Sequence, residues 1–320
     1  MNHILRSLIV PSTLLGTSLA IAWSRYTAEP DLVGDNEVLV MANQSSQISL
    51  IQWTSTEQSV RIERKEDTLG SYLWVEYTDK KLPDDPQTKY FKASQNGDKL
   101  LETLSPLVGI RKLDSNIDLD SIGLTTPSAT MEITSNGKTR TFAIGDEAYG
   151  TRDLYVRDES SQEIFLVDDN KLRNLRQART SLPDRALFGM DLKTVSSAIL
   201  KYNDRILELS HQNWQGPAQA QWINPSFPEE DTTQLQTWMS KLLRTSVSQY
   251  AAPDEDLSTL EERLEVTLTW DNGQSETAIY AYDATNDRWW AKSDSTRSMV
   301  RLTGNGLTSL LEDLPTLSGN

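Results

Sequence analysis

The sequence of 320 residues contains no cysteine and only two histidines, His3 and His211. Without cysteine the chain can form no disulfide, carry no lipid-modified cysteine, and offer no thiolate to zinc or to a substrate. His3 precedes the N-terminal apolar run, which leaves His211 as the one candidate base. A histidine without a recognisable partner group is typical of a structural or surface residue. We therefore predict no metal, no cofactor and no catalytic residue.

Positive charge is also scarce. The chain has 31 Lys and Arg residues against 46 Asp and Glu residues, which gives a formal net charge of −15. Nucleic acid and anionic lipid headgroups are both bound through Lys and Arg surfaces, so this balance argues against either as a partner. An acidic surface keeps a protein soluble, and it can also serve as a docking face for a basic partner.

The motifs of common enzyme classes are missing. The sequence has no Gly-x-Ser-x-Gly elbow, no Walker pattern and no dinucleotide-binding fingerprint. The segment Gly145–Gly150 is acidic and lacks the following Lys-Ser/Thr of a phosphate-binding loop. A carboxylate-dependent hydrolase stays open as an alternative, because the cleft that would fix two carboxylates cannot be read from a sequence.

A single long apolar run stands at the N-terminus. Leu8–Trp23 is an uncharged stretch of 16 residues that follows Arg6 and is closed by Arg25 and Tyr26. Aromatic and basic residues at the end of such a run are typical of a membrane interface, so we expect an uncleaved anchor over residues 1–27. Residues 28–36 would then be a linker, and the chain from about Thr27 onward would lie outside the membrane. Cleavage as a signal peptide after an Ala-x-Ala pattern is the alternative.

The first folded unit, residues 37–182, is predicted to contain both strands and helices. Asn136-Gly137 separates two alternating apolar runs, which is the strongest short signal for a β-hairpin. Two further strands complete an antiparallel meander that ends at Val167. Before it we expect four short strands, a loop around Pro83 and Pro86, and a helix at Gly97–Leu104 that Pro106 interrupts before Leu107–Leu113. A basic helix is expected at Asn170–Thr180, and Asp168-Asp169-Asn170 at its start is interpreted as its N-cap.

The same order of elements then starts again over residues 183–320. A helix is predicted at Thr232–Tyr250, and its apolar spacing predicts a core face made of Leu235, Trp238, Met239, Leu242 and Leu243. Asn272-Gly273 repeats the earlier hairpin signal. The interval from the hairpin glycine to the last strand is also nearly equal in the two parts, from Gly137 to Ile164 and from Gly273 to Met299. The predicted fold class is α+β, a tandem duplication of a unit made of antiparallel β-meanders with a crossing helix, preceded by one N-terminal transmembrane helix.

The central meander also carries a family resemblance. The segments Leu119–Pro127, Asn136-Gly137, Ile144–Asp146, Leu154–Val156 and Ile164–Asp168 resemble the family catalogued as domain of unknown function 4340. The resemblance implies an envelope protein with one N-terminal membrane segment, often encoded beside ABC-transporter permease and gliding-motility-type subunits. The family has no catalytic residues that could be transferred to this sequence.

Two groups of residues are candidates for a partner-binding surface. The first is the pair Trp289 and Trp290, of which one should be buried and the other should lie on the outer face of a strand or in an interface. The second is the acidic group Glu229, Glu230 and Asp231, which could also simply cap the following helix. Other Asp-rich segments, around Asp118 and Asp283, are interpreted as turns, because aspartate is favoured there for backbone hydrogen bonding.

These observations predict a non-enzymatic, membrane-anchored extracytoplasmic (periplasmic) module at the inner membrane that binds other envelope proteins. The partner class, an ABC-type permease or a gliding-motility-type subunit, rests on the family resemblance alone. A glycan or cell-wall-binding domain that uses exposed tryptophans is the alternative from the class of binding proteins.

Overall fold

The computed structural model describes residues 37–82, 84–213, 220–228, 232–303 and 306–317. The predicted anchor at 1–27 and the linker predicted at 28–36 both lie outside these ranges. No helix within them is long and apolar enough to cross a membrane.

The first large sheet is built from the residues between Ile48 and Val167. Each strand pairs antiparallel with its neighbours, and the spatial order over the described ranges is β5-β4-β3-β2-β8-β9-β10-β11-β7. The strands are β2 (Ile48–Ser55), β3 (Gln58–Asp67), β4 (Gly70–Asp79), β5 (Gln87–Lys92), β7 (Arg111–Lys112), β8 (Ala129–Ser135), β9 (Lys138–Glu147), β10 (Leu154–Asp158) and β11 (Ile164–Val167). A separate pair joins β1 (Val38–Met41) to β6 (Leu107–Gly109).

The second large sheet follows in the remainder of the chain. Its order in the part of the chain that the structure describes is β14-β13-β12-β16-β17-β18-β19-β15, again antiparallel throughout. The strands are β12 (Val195–Tyr202), β13 (Arg205–Gln212), β14 (Gln221–Ile223), β15 (Val247–Tyr250), β16 (Glu261–Trp270), β17 (Ser275–Asp283), β18 (Arg288–Ser293) and β19 (Val300–Leu302).

Helices interrupt the strands at matching places. They are α1 (Gln95–Thr103), α2 (Asp169–Arg176), α3 (Ala178–Ser181), α4 (Thr232–Leu243) and α5 (Gly306–Leu317). Helices α1 and α4 each follow the first strands of their sheet, and α2 and α5 follow the last strand of the meander. If β5 is set aside, the two sheets share the same spatial order of corresponding strands. The architecture is therefore mostly antiparallel sheet with a few helices, as the sequence predicted.

Both hairpin predictions are confirmed, although the turns differ in detail. Asn136 and Gly137 form a two-residue turn with φ values of 51° and 73°, both in the left-handed region that this tight turn requires. The later hairpin has a longer loop in which Gly273 alone of the Asn-Gly pair has a positive φ, of 80°. The two turns occupy the same place in their sheets, between β8 and β9 and between β16 and β17.

Three segments differ from the sequence prediction. Gln87–Lys92 is an edge strand where we expected a loop, and Leu107–Leu113 contains β6 and β7 instead of a continued helix. Short apolar runs do not distinguish helix from strand by periodicity, and pairing across the sheet decided both cases. The helix predicted at Thr232–Tyr250 ends at Leu243, because the following Thr, Ser and Val residues are poor helix formers and pair as β15 instead.

One continuous cluster of buried side chains extends through both sheets and the helices that cover them. Met131, Ile133 and Phe142 fill it in the first part, and Trp222, Trp238 and Trp270 in the second, all of them at most 2% exposed. The predicted core position of Trp238 is confirmed. Fully buried aromatic side chains of this size are the largest contributors to the hydrophobic stabilisation of such a core.

Candidate functional site

Four of the five segments that carry the family resemblance, all except the Asn136-Gly137 hairpin, meet where residues 113–128 pack on the first sheet. Residues 113–128 cross the outer face of the first sheet, where Ile122 and Leu124 pack with Ala143 and Ile164. The amide of Asp146 donates a hydrogen bond to the carbonyl of Ile122 at 2.9 Å. The crossing segment is thereby fixed to β9.

A glycine is required at this contact. A Cβ atom at position 145 would lie 2.3 Å from the carbonyl oxygen of Ile122, closer than any real contact. Gly123, with a φ of 69°, supplies the left-handed residue of the turn beside it. The family motif in this part of the chain is explained by packing and backbone geometry, and it brings no nucleophile, base or ligand set together.

The tryptophan pair does not form the outer surface that we expected. Trp289 and Trp290 are 6% and 5% exposed, and therefore both are buried. Trp289 belongs to the main core, and its indole Nε1 donates to Thr308 Oγ1 of α5 at 3.0 Å. Trp290 points to the opposite face of β18, which is also covered. A sugar-binding platform needs an exposed aromatic face, which this pair does not present.

The acidic candidates separate into two groups. Glu229, Glu230 and Asp231 lie outside the described residues. The Asp-rich segments behave as turns: Asp118 accepts from the amide of Asp120 at 3.1 Å, and Asp283 accepts from the amide of Thr285 at 3.0 Å. Over the ranges that the structure describes, no three His, Asp or Glu side chains stand together in a way that could hold a metal ion.

His211 is engaged in structural contacts. Its ring stacks on Trp222 with a centroid separation of 4.5 Å and an interplanar angle of 2°. Its Nδ1 donates a hydrogen bond to the carbonyl oxygen of Val195 at 2.8 Å, because a carbonyl oxygen can only accept. An imidazole held in this way packs β12, β13 and β14 together.

Residues 87–264 match the family described as a domain of unknown function (DUF4340). The chain belongs to this family. Neither the curated proteins nor the solved structures contain a match to the chain. The matched region runs from the start of β5 into the first residues of β16. It includes the contact between residues 113–128 and β9, and also the connection between the two sheets.

The connection between the two sheets, residues 183–186, is held by backbone hydrogen bonds to both of them. The amide of Asp184 donates to the carbonyl of Lys92, at the end of β5, at 2.9 Å. The carbonyl of Arg185 accepts from the amide of Val247, at the start of β15, at 3.0 Å. The segment between the sheets thus bonds to an edge strand of each, and through it the two edges are joined.

Side chains reinforce this connection. Lys92 Nζ lies 2.6 Å from the Asp184 carboxylate, and both side chains are only 18% exposed. The hydroxyl of Tyr250 donates to the carbonyl of Asp184 at 3.2 Å, and its ring meets Trp74 edge-on at a centroid distance of 5.9 Å. Burial first, and then the nearby Asp184 carboxylate, raises the pKa of Tyr250, so its hydroxyl stays protonated and acts as a donor.

A cleft of about 290 Å³ opens beside the connecting segment. It is lined by β5, α3, the connecting segment, β15 and β19. Four cationic side chains line it together with one carboxylate, that of Asp184; the cations are Lys89, Arg179, Arg185 and Arg301. The sequence analysis did not identify them, because they come from four separate segments and form no motif in the linear sequence.

Proposed function

We propose that the protein is a non-enzymatic, membrane-anchored extracytoplasmic module that binds other envelope proteins as an accessory subunit of an ABC-transporter-type complex. Membership of the family supports this proposal, since such members are expected to be encoded beside permease subunits. The uncharged run Leu8–Trp23 supports the anchor, and the net charge of −15 supports association with a basic partner.

The placement of His211 carries the non-enzymatic part of the proposal. It is the one histidine that follows the predicted anchor, and its contacts with Trp222 and Val195 give it a structural role. A general base needs a nucleophile or a substrate proton within hydrogen-bond reach, and no such group stands beside this ring in the described residues. The acidic turns likewise use their carboxylates to bond their own backbones.

We also propose that residues 37–182 and 183–320 arose as a tandem duplication. Eight strands of each large sheet correspond in spatial order over the described ranges, and a helix interrupts each set at the same point. The loops after β10 and β18 add a detail that strand order does not require. In each loop, a backbone amide donates to the carbonyl of the last residue of the preceding strand, four residues earlier in the chain. The amide of Gln162 bonds to Asp158 at 2.8 Å, and the amide of Arg297 bonds to Ser293 at 3.3 Å.

Extraction of the full chain from membranes in a mild detergent, followed by identification of co-purifying membrane proteins, tests the partner class. Association should weaken as salt rises, because exposed charges are screened over about 8 Å at physiological ionic strength. Neutralising Glu229, Glu230 and Asp231 together should weaken association and flatten its salt dependence.

His211→Ala is the matched control for that experiment, since it should leave partner association unchanged while the fold is retained. Association that does not respond to salt would contradict the electrostatic part of the proposal. Loss of biological function in His211→Ala with the fold intact would overturn the proposal in favour of an enzyme.

The anchor has a separate test. Sequencing of the mature N-terminus should show that residues 1–27 are retained in the membrane-bound protein. A mature chain that begins at Trp23, directly after Ala20-Ile21-Ala22, would show that the segment is a cleaved signal.

A further inference from the structure

The cleft beside the connecting segment has the opposite charge to the protein as a whole. The chain carries a formal net charge of −15, yet four cationic side chains and a single carboxylate line this cleft. The cations come from β5, α3, the connecting segment and β19, so the tertiary fold has brought them together. A cleft lined by one sign of charge concentrates the field and attracts ions of the opposite sign.

The cleft's internal ion pairs leave part of this charge uncompensated. Arg179 pairs with Asp79 at 2.9 Å, and the carboxylate of Asp184 is already bound by Lys92 at 2.6 Å. Lys89 and Arg185 have no ion-pair partner among the residues that the structure describes. Neighbouring like charges repel each other, and an anionic ligand between them would remove that cost.

The floor of the cleft is apolar. Phe91, Val247 and Tyr250 line it and are at most 4% exposed. A volume of about 290 Å³ is at the lower end of the range of about 300–1,000 Å³ that is typical of sites for small molecules. The site thus combines a buried apolar floor with cationic groups at its rim. Such a site can bind the charged group of an organic anion at the rim and its apolar part on the floor.

We propose that this cleft binds a small organic oxyanion, with a carboxylate or phosphate group held by Lys89, Arg185 and Arg301 and an apolar body resting on the buried floor. Guanidinium groups match the two oxygens of either group with parallel hydrogen bonds. Since the cleft is lined from both sheets, a bound anion contacts both of them and stabilises their junction. This proposal does not depend on the identity of the envelope partner.

The test is titration of the full chain, in detergent, with benzoate and separately with phenyl phosphate, each of which carries an oxyanion on an apolar ring. Binding is measured by isothermal titration calorimetry and by the thermal unfolding midpoint. Benzyl alcohol and sodium chloride at matched ionic strength are the reference additions. Saturable binding of either anion, with a rise in the unfolding midpoint, is the expected result. The anion that binds more tightly identifies the preferred group, carboxylate or phosphate.

Two variants locate the site. Arg185→Gln and Lys89→Gln should each weaken the affinity by about tenfold, which corresponds to the loss of one charged hydrogen bond. Both side chains are exposed and lack an ion pair in the described residues, so neither change should disturb folding. Lys138→Gln, at the exposed Asn136-Gly137 hairpin, alters the net charge equally and should leave the affinity unchanged.

The absence of saturable binding for both anions would overturn the proposal. An equal loss of affinity in Lys138→Gln and Arg185→Gln would also overturn it, because the effect would then come from net charge and not from the cleft. Partner association measured in the same variants is an independent result: if it persists when anion binding is lost, only the anion site has been removed.

Discussion

The loops that follow β10 and β18 share two backbone features, a left-handed residue and a hydrogen bond back to the end of the preceding strand, but they differ in length and in their side chains. Each contains a residue in the left-handed region, Gln162 with a φ of 60° and Arg297 with a φ of 62°. In the first loop the carboxylate of Asp158 accepts hydrogen bonds from the amide and hydroxyl of Ser160. In the second, the hydroxyl of Ser293 accepts from the amide of Thr296 at 3.0 Å. The loop of the first sheet is thus stabilised by a charged carboxylate, and the corresponding loop of the second sheet by a neutral hydroxyl.

The outer faces of the two sheets differ more. In the first sheet residues 113–128 cover β9, and Gly145 allows the backbone of that segment to approach. Ala281 stands eight residues after Gly273, as Gly145 stands eight after Gly137. It is only 2% exposed and pairs with Trp290 of the neighbouring strand. Shared strand order therefore leaves each sheet free to cover its outer face in its own way.

The largest effect should come from adding a side chain at Gly145, where residues 113–128 pack closely on β9. Gly145→Ala places a methyl group against the Ile122 carbonyl, and we expect the free energy of unfolding to fall by about 3 kcal/mol, because backbone on both sides limits relaxation. Urea unfolding followed by tryptophan fluorescence measures it. The reverse change in the other sheet, Ala281→Gly, should cost only about 1 kcal/mol. Equal losses would show that the crossing segment does not require the glycine.

An intermediate effect should distinguish the two loops by their response to acid. Burial alone would raise the pKa of Asp158, but hydrogen bonds from Ser160 and Arg140 outweigh it and lower the pKa. Because the folded pKa is lowered, this stabilisation is complete above the usual value of about 3.9 and is lost as pH falls through the folded pKa. We expect the free energy of unfolding to fall between neutral pH and about pH 3, by at most about 1 kcal/mol from this group, because pH 3 lies only about one unit below the unfolded pKa.

Unfolding in urea at both pH values measures this loss, and Asp158→Asn should remove that part of the pH dependence. Ser293→Ala is the matched change in the second loop, and its cost should not vary with pH. If Asp158→Asn has the same acid response as the unchanged chain, the carboxylate does not provide this stabilisation.

The smallest effect should come from Asn174, in a comparison of the hydrogen bonds that join the helices of each sheet. Trp238 Nε1 donates to the carbonyl of Leu310, joining α4 to α5 at 2.6 Å, whereas Asn174 Nδ2 reaches the carbonyl of Asn96, joining α2 to α1, at only 3.4 Å. Asn174→Ala should therefore cost only about 0.5 kcal/mol, whereas Trp238→Phe should cost more, because it removes the shorter hydrogen bond and also leaves a cavity in the core. Thermal unfolding measures both changes. A larger loss from Asn174→Ala would reverse the ranking of the two contacts.

Local patterns in the sequence predicted the secondary structure where one segment suffices to decide it. The Asn136-Gly137 hairpin follows from the left-handed φ values that these two residues tolerate, and the cap of α2 follows from Asp168, whose carboxylate accepts from the amide of Asn170 at 2.9 Å. The core face of α4 was also predicted by its spacing, with Trp238 and Met239 at most 2% exposed. In each case the deciding interactions lie within a few residues of one another.

The tertiary structure decided what depends on contacts between distant segments. Whether Gln87–Lys92 is a loop or a strand depends on pairing with β4, and the burial of Trp290 depends on what covers its face of the sheet. The cationic cleft brings together residues as far apart as Lys89 and Arg301. The composition of the sequence determined the excess of negative charge and the absence of thiol chemistry. The cluster of positive charges in the cleft of this acidic chain forms only on folding, because electrostatic interaction depends on distance in space and not on separation along the chain.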